Sequence, residues 1–80
     1  MNMTAYALLA FENGSEAAER PHYDSSPNGM AFIAGLWCRS HNVYPAEVKE
    51  SCGYSVRVNR TLRLRIVFPG NGVEAFAETV

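Results

Sequence analysis

The chain has 80 residues, of which 48% are hydrophobic and 19% are charged, and its formal net charge is −1 at pH 7. This composition indicates one small globular domain spanning residues 1–80 and excludes an intrinsically disordered chain. The near-zero net charge argues against a protein that binds nucleic acid through its bulk charge.

The beginning of the chain gives no sign of export. Residues 1–11, MNMTAYALLAF, have no positive charge before their short apolar run and no continuation that resembles a cleavage site. No apolar stretch approaches the ~20 residues of a membrane helix. We therefore expect a free-standing cytoplasmic protein in which the thiols of Cys38 and Cys52 are reduced.

The first predicted element is a strand over residues 4–12. Apolar side chains occupy both alternating faces of this segment, as in a strand that lies in the middle of a sheet and is covered on both sides. Asn13 and Gly14 end it. Residues 15–20 then predict one or two helical turns with Ser15 as N-cap, stopped by Pro21.

The main predicted helix follows a loop-like segment, PHYDSSPNG, at residues 21–29. Ser26 as N-cap with Pro27 in the first helical position favours a start at this point, and Asn28 is an alternative cap. The pattern predicts that the helix continues to about His41.

Two apolar arcs lie side by side on this predicted helix. The larger arc comprises Met30, Ile33, Ala34, Trp37 and Cys38. The second arc comprises Phe32 and Leu36, and only Gly35 and Arg39 face away. One small sheet does not cover so much apolar surface, so either the flanking loops wrap the helix or the second arc contacts another protein. We predict a partner-binding surface at Phe32, Leu36 and Arg39.

Residues 45–52, PAEVKESC, predict a short helix with Pro45 at its start and Gly53 beyond its end. After it, apolar residues alternate with arginines as far as Phe68, and Asn59 and Arg60 interrupt the alternation. This period of two predicts a pair of antiparallel strands.

The register of this hairpin follows from which residues must share a face. A two-residue loop at 59–60 would pair Val56 with Arg63 and bury an arginine. A three-residue loop at 59–61 instead pairs Val56 with Leu64 and Arg57 with Arg63. We therefore predict the longer loop, although it lacks the glycine that such loops usually contain.

The last element, residues 73–80, follows a turn predicted at Pro69–Gly70–Asn71–Gly72. As a strand, it places these residues opposite one another: Phe68 and Val73, Arg65 and Phe76, and Arg63 and Glu78. Ala75 and Ala77 then fall on the core face. A short helix is the alternative, because its apolar residues also fit a helical face.

The arginines form a second candidate site. Residues 51–73 hold four arginines and no acidic residue, whereas the rest of the chain holds eight acidic residues and three cations. A cationic sheet face beside an aromatic ring is typical of surfaces that contact phosphates and stack on bases. The residues for such anion or nucleic-acid contact are Arg57, Arg60, Arg63, Arg65 and Tyr54. The alternative is a solvated face neutralised by Glu74 and Glu78.

The candidates for metal binding and catalysis are few. All the cysteines and histidines are His22, Cys38, His41 and Cys52. Cys38 and His41 have a helical spacing, but the remaining spacings match no usual zinc pattern. His22, Asp24 and Ser25 have the residue types of a catalytic triad, yet they crowd into four positions. We predict no metal, no cofactor and no enzymatic activity.

Together these elements predict an α+β fold, with a small mixed or antiparallel sheet of three or four strands and one main helix packed on one face. The leading functional prediction is a non-catalytic protein that inhibits or adapts a larger macromolecular complex. In size and lack of motifs, the chain is like small phage and mobile-element accessory proteins, anti-CRISPR inhibitors among them. The alternatives are a small nucleic-acid-binding module or regulator and a homodimer whose interface completes its core.

Overall fold

A pair of helices precedes a four-stranded antiparallel sheet in the computed structural model, which describes residues 2–17, 23–51, 53–70 and 72–80. The sheet is a meander with the strand order β1-β2-β3-β4. The elements are α1 (Met3–Asn13), a 3-10 turn (Gly14–Glu16), α2 (Pro27–His41), β1 (Lys49–Glu50), β2 (Ser55–Arg57), β3 (Leu62–Val67) and β4 (Glu74–Thr79). The predicted α+β class is confirmed, with two helices among the described residues where one main helix was expected.

Helix α1 occupies the segment that was predicted to be a strand, so that prediction is wrong. Its alanines, leucines and methionine are strong helix formers. The Asn2 side chain accepts a hydrogen bond from the N–H of Ala5 at 2.9 Å, and Gly14, at φ 66°, follows the last turn. A segment that is apolar on all sides has no period that separates a buried helix from a buried strand.

The helical turn predicted over residues 15–20 begins earlier than expected. The structure has a 3-10 turn at Gly14–Glu16, preceded by Asn13, so Ser15 is not its N-cap. The N–H of Ala17 closes this turn by donating to the carbonyl of Gly14 at 3.3 Å. The predicted stop at Pro21 lies outside the described residues.

Helix α2 confirms the predicted bounds, Pro27 to His41. The Ser26 hydroxyl accepts a hydrogen bond from the N–H of Gly29 at 3.1 Å, which makes Ser26 the N-cap. Asn42 ends the helix in the left-handed conformation, at φ 57°.

The two helices cross closely at Gly35. A Cβ atom at this position would lie 2.3 Å from the carbonyl oxygen of Ala7 and 2.8 Å from the Cβ of Ala10. Gly35 was predicted to face away from the core, but it is buried against α1. That prediction is wrong because α1 is a helix and covers this side of α2.

The segment predicted as a short helix at 45–52 is not helical in its described part. Residues 46–47 form a bend, and β1 follows. The Thr4 hydroxyl accepts a hydrogen bond from the N–H of Val48 at 3.0 Å and donates to the carbonyl of Val48 at 3.3 Å. Lys49 then pairs with Arg57 in β2. These long-range bonds outweigh the local helical pattern, and Cys52 lies outside the described residues.

The β2–β3 hairpin confirms the three-residue loop and its register. Val56 pairs with Leu64, and Arg57 pairs with Arg63. The missing glycine is replaced by Asn59, whose side-chain oxygen accepts hydrogen bonds from the N–H groups of Thr61 and Leu62, each at 2.9 Å. An asparagine that bonds its own backbone two residues onward is a usual way of fixing such a turn.

The last element is a strand, which settles the alternative of a short helix. Glu78 and Phe76 of β4 pair with Arg63 and Arg65 of β3, in the register predicted for a strand. The core lies between the sheet and α2. Its largest fully buried side chains include Met30, Val56, Val58, Leu64 and Ile66. None of the described helices is long and apolar enough to cross a membrane.

Candidate functional site

The predicted partner surface on α2 is occupied by the protein itself. Phe32 is 0% exposed and lies in a small apolar cluster with Ala10 and Ala17. The Arg39 guanidinium donates hydrogen bonds to the carbonyls of Phe11, at 2.6 Å, and of Glu12, at 3.1 Å. The surplus apolar surface of α2 is therefore explained by α1, and Phe32 offers no surface to a partner in this fold. Partner binding as such stays a prediction.

Leu36, unlike Phe32, is only partly buried and borders a groove. It is half-buried, packs against the Phe32 cluster and lines a groove between α2 and the β4 end of the sheet. The groove has a volume of about 440 Å³. Its walls are mainly apolar: α2 contributes Ile33, Leu36, Trp37 and Ser40, the β4 side contributes Val73 and Ala75, and Tyr23 joins them from the segment before α2.

The groove runs beside an edge of the sheet. Strand β4 is the last strand in the sheet order, so it pairs with β3 on one side only. The N–H of Val80 donates to the carbonyl of Thr61 at 3.0 Å, toward β3. Backbone groups of an antiparallel strand point alternately to its two sides. The outward-facing N–H and C=O groups of β4 therefore belong to Ala75, Ala77 and Thr79.

The two edges of the sheet differ in how they are protected. β1, at one edge, has only two residues, Lys49 and Glu50, both charged. β4, at the other, has six residues and contains neither lysine nor proline. Short, charged strands are the usual protection of a sheet edge against pairing with another chain. Among the described residues, no further strand pairs with the outer side of β4.

On the face of the sheet that points away from the core, β4 carries two carboxylates on either side of an aromatic ring. Glu74, Phe76 and Glu78 lie on this face, opposite Val67, Arg65 and Arg63 of β3. Phe76 is 44% exposed. Strand β4 thus presents an acidic and aromatic side away from the core. On its other side Ala75 lines the groove and Ala77 is exposed.

The predicted arginine face has contacts within the chain. Arg57 donates from Nη2 to the carbonyl of Arg60 at 2.8 Å. Arg63 Nε lies 3.5 Å from Glu78 Oε1, and the Arg65 guanidinium lies 5.5 Å from the centroid of the Phe76 ring. The predicted neutralisation by cross-strand neighbours is therefore present for Arg63.

The other two members of the arginine group lie at opposite ends of the hairpin. Arg60 is exposed in the 59–61 loop. Tyr54 is 60% exposed and contacts Phe68 edge-on, with 6.4 Å between ring centroids. The fold therefore spreads the five residues along the hairpin instead of gathering them around one point.

The cysteine and histidine candidates give no metal site among the described residues. Cys38 is fully buried, whereas His41 is exposed and stacks on Trp37 with ring centroids 3.9 Å apart. His22 and Cys52 lie outside the described residues. Burial raises the pKa of the Cys38 thiol to about 11, because desolvation disfavours the thiolate. A neutral, buried thiol is a poor nucleophile.

A larger cavity, of about 720 Å³, lies between the residues that precede α2 and the β2–β3 hairpin. Tyr23, Asp24, Tyr54 and Phe68 line it. Asp24 accepts hydrogen bonds from the N–H of Ser26, at 3.0 Å, and from its hydroxyl, at 2.5 Å.

Comparisons with family models, with curated proteins and with solved structures found no match to this chain. Sequence reasoning named Leu36 but missed the edge of β4. The signal for that edge was available, because the final strand of an antiparallel meander has only one neighbour.

Proposed function

We propose that this protein acts without catalysis, by binding an extended segment of another protein along the outer edge of β4. In this role it would inhibit or adapt a larger complex, as small accessory proteins of phages do. The observation that carries the proposal is the juxtaposition of a six-residue edge strand, whose outer side pairs with no described strand, and an apolar groove beside it.

Strand addition uses both features at once. The added segment bonds to the outward-facing backbone of Ala75, Ala77 and Thr79, which supplies affinity that does not depend on sequence. Its alternate side chains then point to the core side of the sheet, where the groove beside Leu36 and Trp37 receives them. Pockets for alternate side chains are what give strand addition its specificity.

The test compares capture of a partner by the wild-type chain and by an Ala77→Pro variant. Proline removes an N–H that points away from β3, so it blocks strand addition and leaves the β3–β4 bonds in place. We expect the variant to lose a partner that the wild-type chain captures from a lysate of its source organism. In the captured complex, amide hydrogen exchange should slow at Ala75, Ala77 and Thr79.

The matched control is Arg60→Ala, which removes an exposed side chain in the 59–61 loop, outside β4. This variant should retain the partner. A partner that Ala77→Pro still captures, or amide protection confined to another surface, would show that the β4 edge is not the binding site.

Nucleic-acid binding is a second candidate function, supported by one observation. Lys49 pairs with Arg57, and Arg57 pairs with Arg63, so three cations form a row across adjacent strands. If this row contacts the phosphates of a single strand, log affinity should fall with log salt by about 0.7 per contact. Titration of a labelled oligonucleotide at several salt concentrations measures this slope. Loss of one contact in Lys49→Ala would support the row, and affinity that does not change with salt would remove the candidate.

A further inference from the structure

We infer that the segment bound by β4 is amphipathic, with apolar side chains alternating with arginine or lysine. This inference rests on the proposed function, since it names the chemistry of the partner at the same edge. It follows from what each face of β4 would meet in an added strand, because residues directly opposite each other share a face of the sheet.

On the core side, the added strand meets apolar walls. Its residues opposite Ala75 and Ala77 lie on the face that β3 fills with Leu64 and Ile66. The small side chain of Ala75 lines the groove of about 440 Å³, which continues toward α2. A large apolar side chain opposite Ala75 would be buried in this groove beside Leu36, and one opposite Ala77 would cover that exposed alanine.

On the outward side, the added strand meets carboxylates. If the added strand is antiparallel, its residues opposite Glu74 and Glu78 occupy non-hydrogen-bonded pairs. In such pairs the two opposite side chains lie closest to each other. Strand β3 places Val67 opposite Glu74, so no cation of the sheet faces that carboxylate directly. A cation in the added strand would supply this pairing.

The inner neighbour of β4 already has the chemistry that we assign to the outer one. Strand β3 reads LRLRIV, with apolar residues toward the core and arginines outward. Arg63 approaches Glu78 to 3.5 Å, and Arg65 lies 5.5 Å from the Phe76 ring. A strand of the same alternation on the free side would meet the same acidic and aromatic face.

A second copy of this chain fits the edge less well. Antiparallel pairing of two β4 strands puts the glutamates of both copies on one face, and neither strand carries a cation. A two-fold axis at Phe76 would set Glu74 directly opposite the Glu78 of the other copy. Like charges directly opposite each other destabilise a sheet pair. The charge pattern therefore selects a foreign, cationic strand.

The experiment measures the binding of three labelled peptides by fluorescence anisotropy. Their sequences alternate leucine with arginine, with threonine or with glutamate. The leucine–arginine peptide should bind about tenfold or more tightly than the leucine–glutamate peptide, with the leucine–threonine peptide between them. Glu74→Lys should reduce or reverse this order, because it changes the charge that faces the added strand.

Controls separate the chemistry of the segment from strand addition itself. Ala77→Pro should abolish binding of the leucine–arginine peptide. An N-methylated form of this peptide, which lacks alternate N–H donors, should also fail and requires no change in the protein. Binding of all three peptides with equal affinity, lost on N-methylation, would overturn the cationic preference and leave strand addition standing.

Two other results would overturn the inference in different ways. If no peptide binds, or if N-methylation and Ala77→Pro leave binding unchanged, the proposed function fails together with the inference. If light scattering shows a dimer of the wild-type chain that Ala77→Pro converts to a monomer, the occupant of the edge is a second copy. A preference for the arginine peptide that persists in Glu74→Lys would show attraction to a different surface.

Discussion

Gly35 sets the distance between the two helices, because the carbonyl oxygen of Ala7 lies where its Cβ would be. We predict that Gly35→Ala lowers the free energy of unfolding by about 1–3 kcal/mol, since overpacking outweighs the gain of ~1 kcal/mol in helix propensity. Urea denaturation measures the change. Gly72→Ala is the control, because the nearest contact to its added methyl group, Pro69 O at 3.6 Å, is an ordinary one. Equal stability of the two variants would contradict the close crossing.

Arg39 joins the C-terminal ends of the two helices. Its guanidinium donates to two carbonyls in the last turn of α1, where helix carbonyls generally run out of intrahelical N–H partners. We predict that Arg39→Ala costs about 1–2 kcal/mol of stability, because exposed, charge-assisted hydrogen bonds of this kind are lost. Thermal denaturation of Arg39→Ala beside Arg60→Ala tests this, and the second variant should be near neutral. A wild-type melting temperature for Arg39→Ala would refute the cap.

Cys38 should react slowly with alkylating reagents in the folded protein. Its pKa is raised from 9.0 to about 11, which reduces the thiolate about 100-fold near neutral pH, and burial further restricts access. We predict that the iodoacetamide reaction in a Cys52→Ser background is at least that much slower in the native than in the urea-unfolded chain. The native rate should keep rising with pH between 9 and 11. Rapid native labelling at pH 8 would show that the thiol is accessible.

At the scale of elements, the orientation of the β4 backbone can be tested with two neighbouring prolines. The N–H of Ala77 points outward and that of Phe76 points to β3, because Val80 donates to Thr61 and the groups alternate. We predict that Ala77→Pro changes stability by less than about 1 kcal/mol, whereas Phe76→Pro costs about 3 kcal/mol or more.

Circular dichroism and urea denaturation distinguish the two proline variants of β4. If Phe76→Pro proved the milder substitution, the outward-facing backbone groups would belong to the even-numbered residues. The strand-addition geometry at Ala75, Ala77 and Thr79 would then be wrong.

Some elements could be predicted from the sequence and others could not. The β2–β3 register was predictable because a one-residue slip would bury Arg63, and α2 because Ser26 and Pro27 mark its start. Strand β1 was not, because its formation depends on pairing with β2 and on the bonds between Thr4 and Val48, 44 residues apart. Local patterns carry no information about such contacts.

At the scale of the whole molecule, α2 forms the shared layer between α1 and the sheet. The main core cluster contains Ala7 of α1, Met30 and Ile33 of α2, and Val56 and Leu64 of the sheet. Because this cluster is continuous, we predict that the helical pair and the sheet unfold together. Trp37 fluorescence and far-ultraviolet circular dichroism should give coincident urea transitions, and separated midpoints would show two units.

The candidate site depends on how the helices pack on the sheet. Leu36 was identifiable from its place on the second apolar arc, but the prediction grouped it with Phe32, which α1 buries. The groove forms only where α2 passes beside β4. Its existence depends on how the helical pair sits on the sheet, which the periodicity of either element does not specify.

The α+β class, the bounds of α2 and the pairing of β2 with β3 followed from the sequence, because caps, turns and a period of two act between residues close in the chain. That residues 74–79 form a strand and not a helix was decided by the structure. The tertiary structure decided that α1 is a helix, that Phe32 is internal and that β4 is an open edge beside a groove. These features depend on which distant segment covers an apolar surface. An apolar residue in the sequence predicts that its side chain is buried, but it does not identify the segment that buries it.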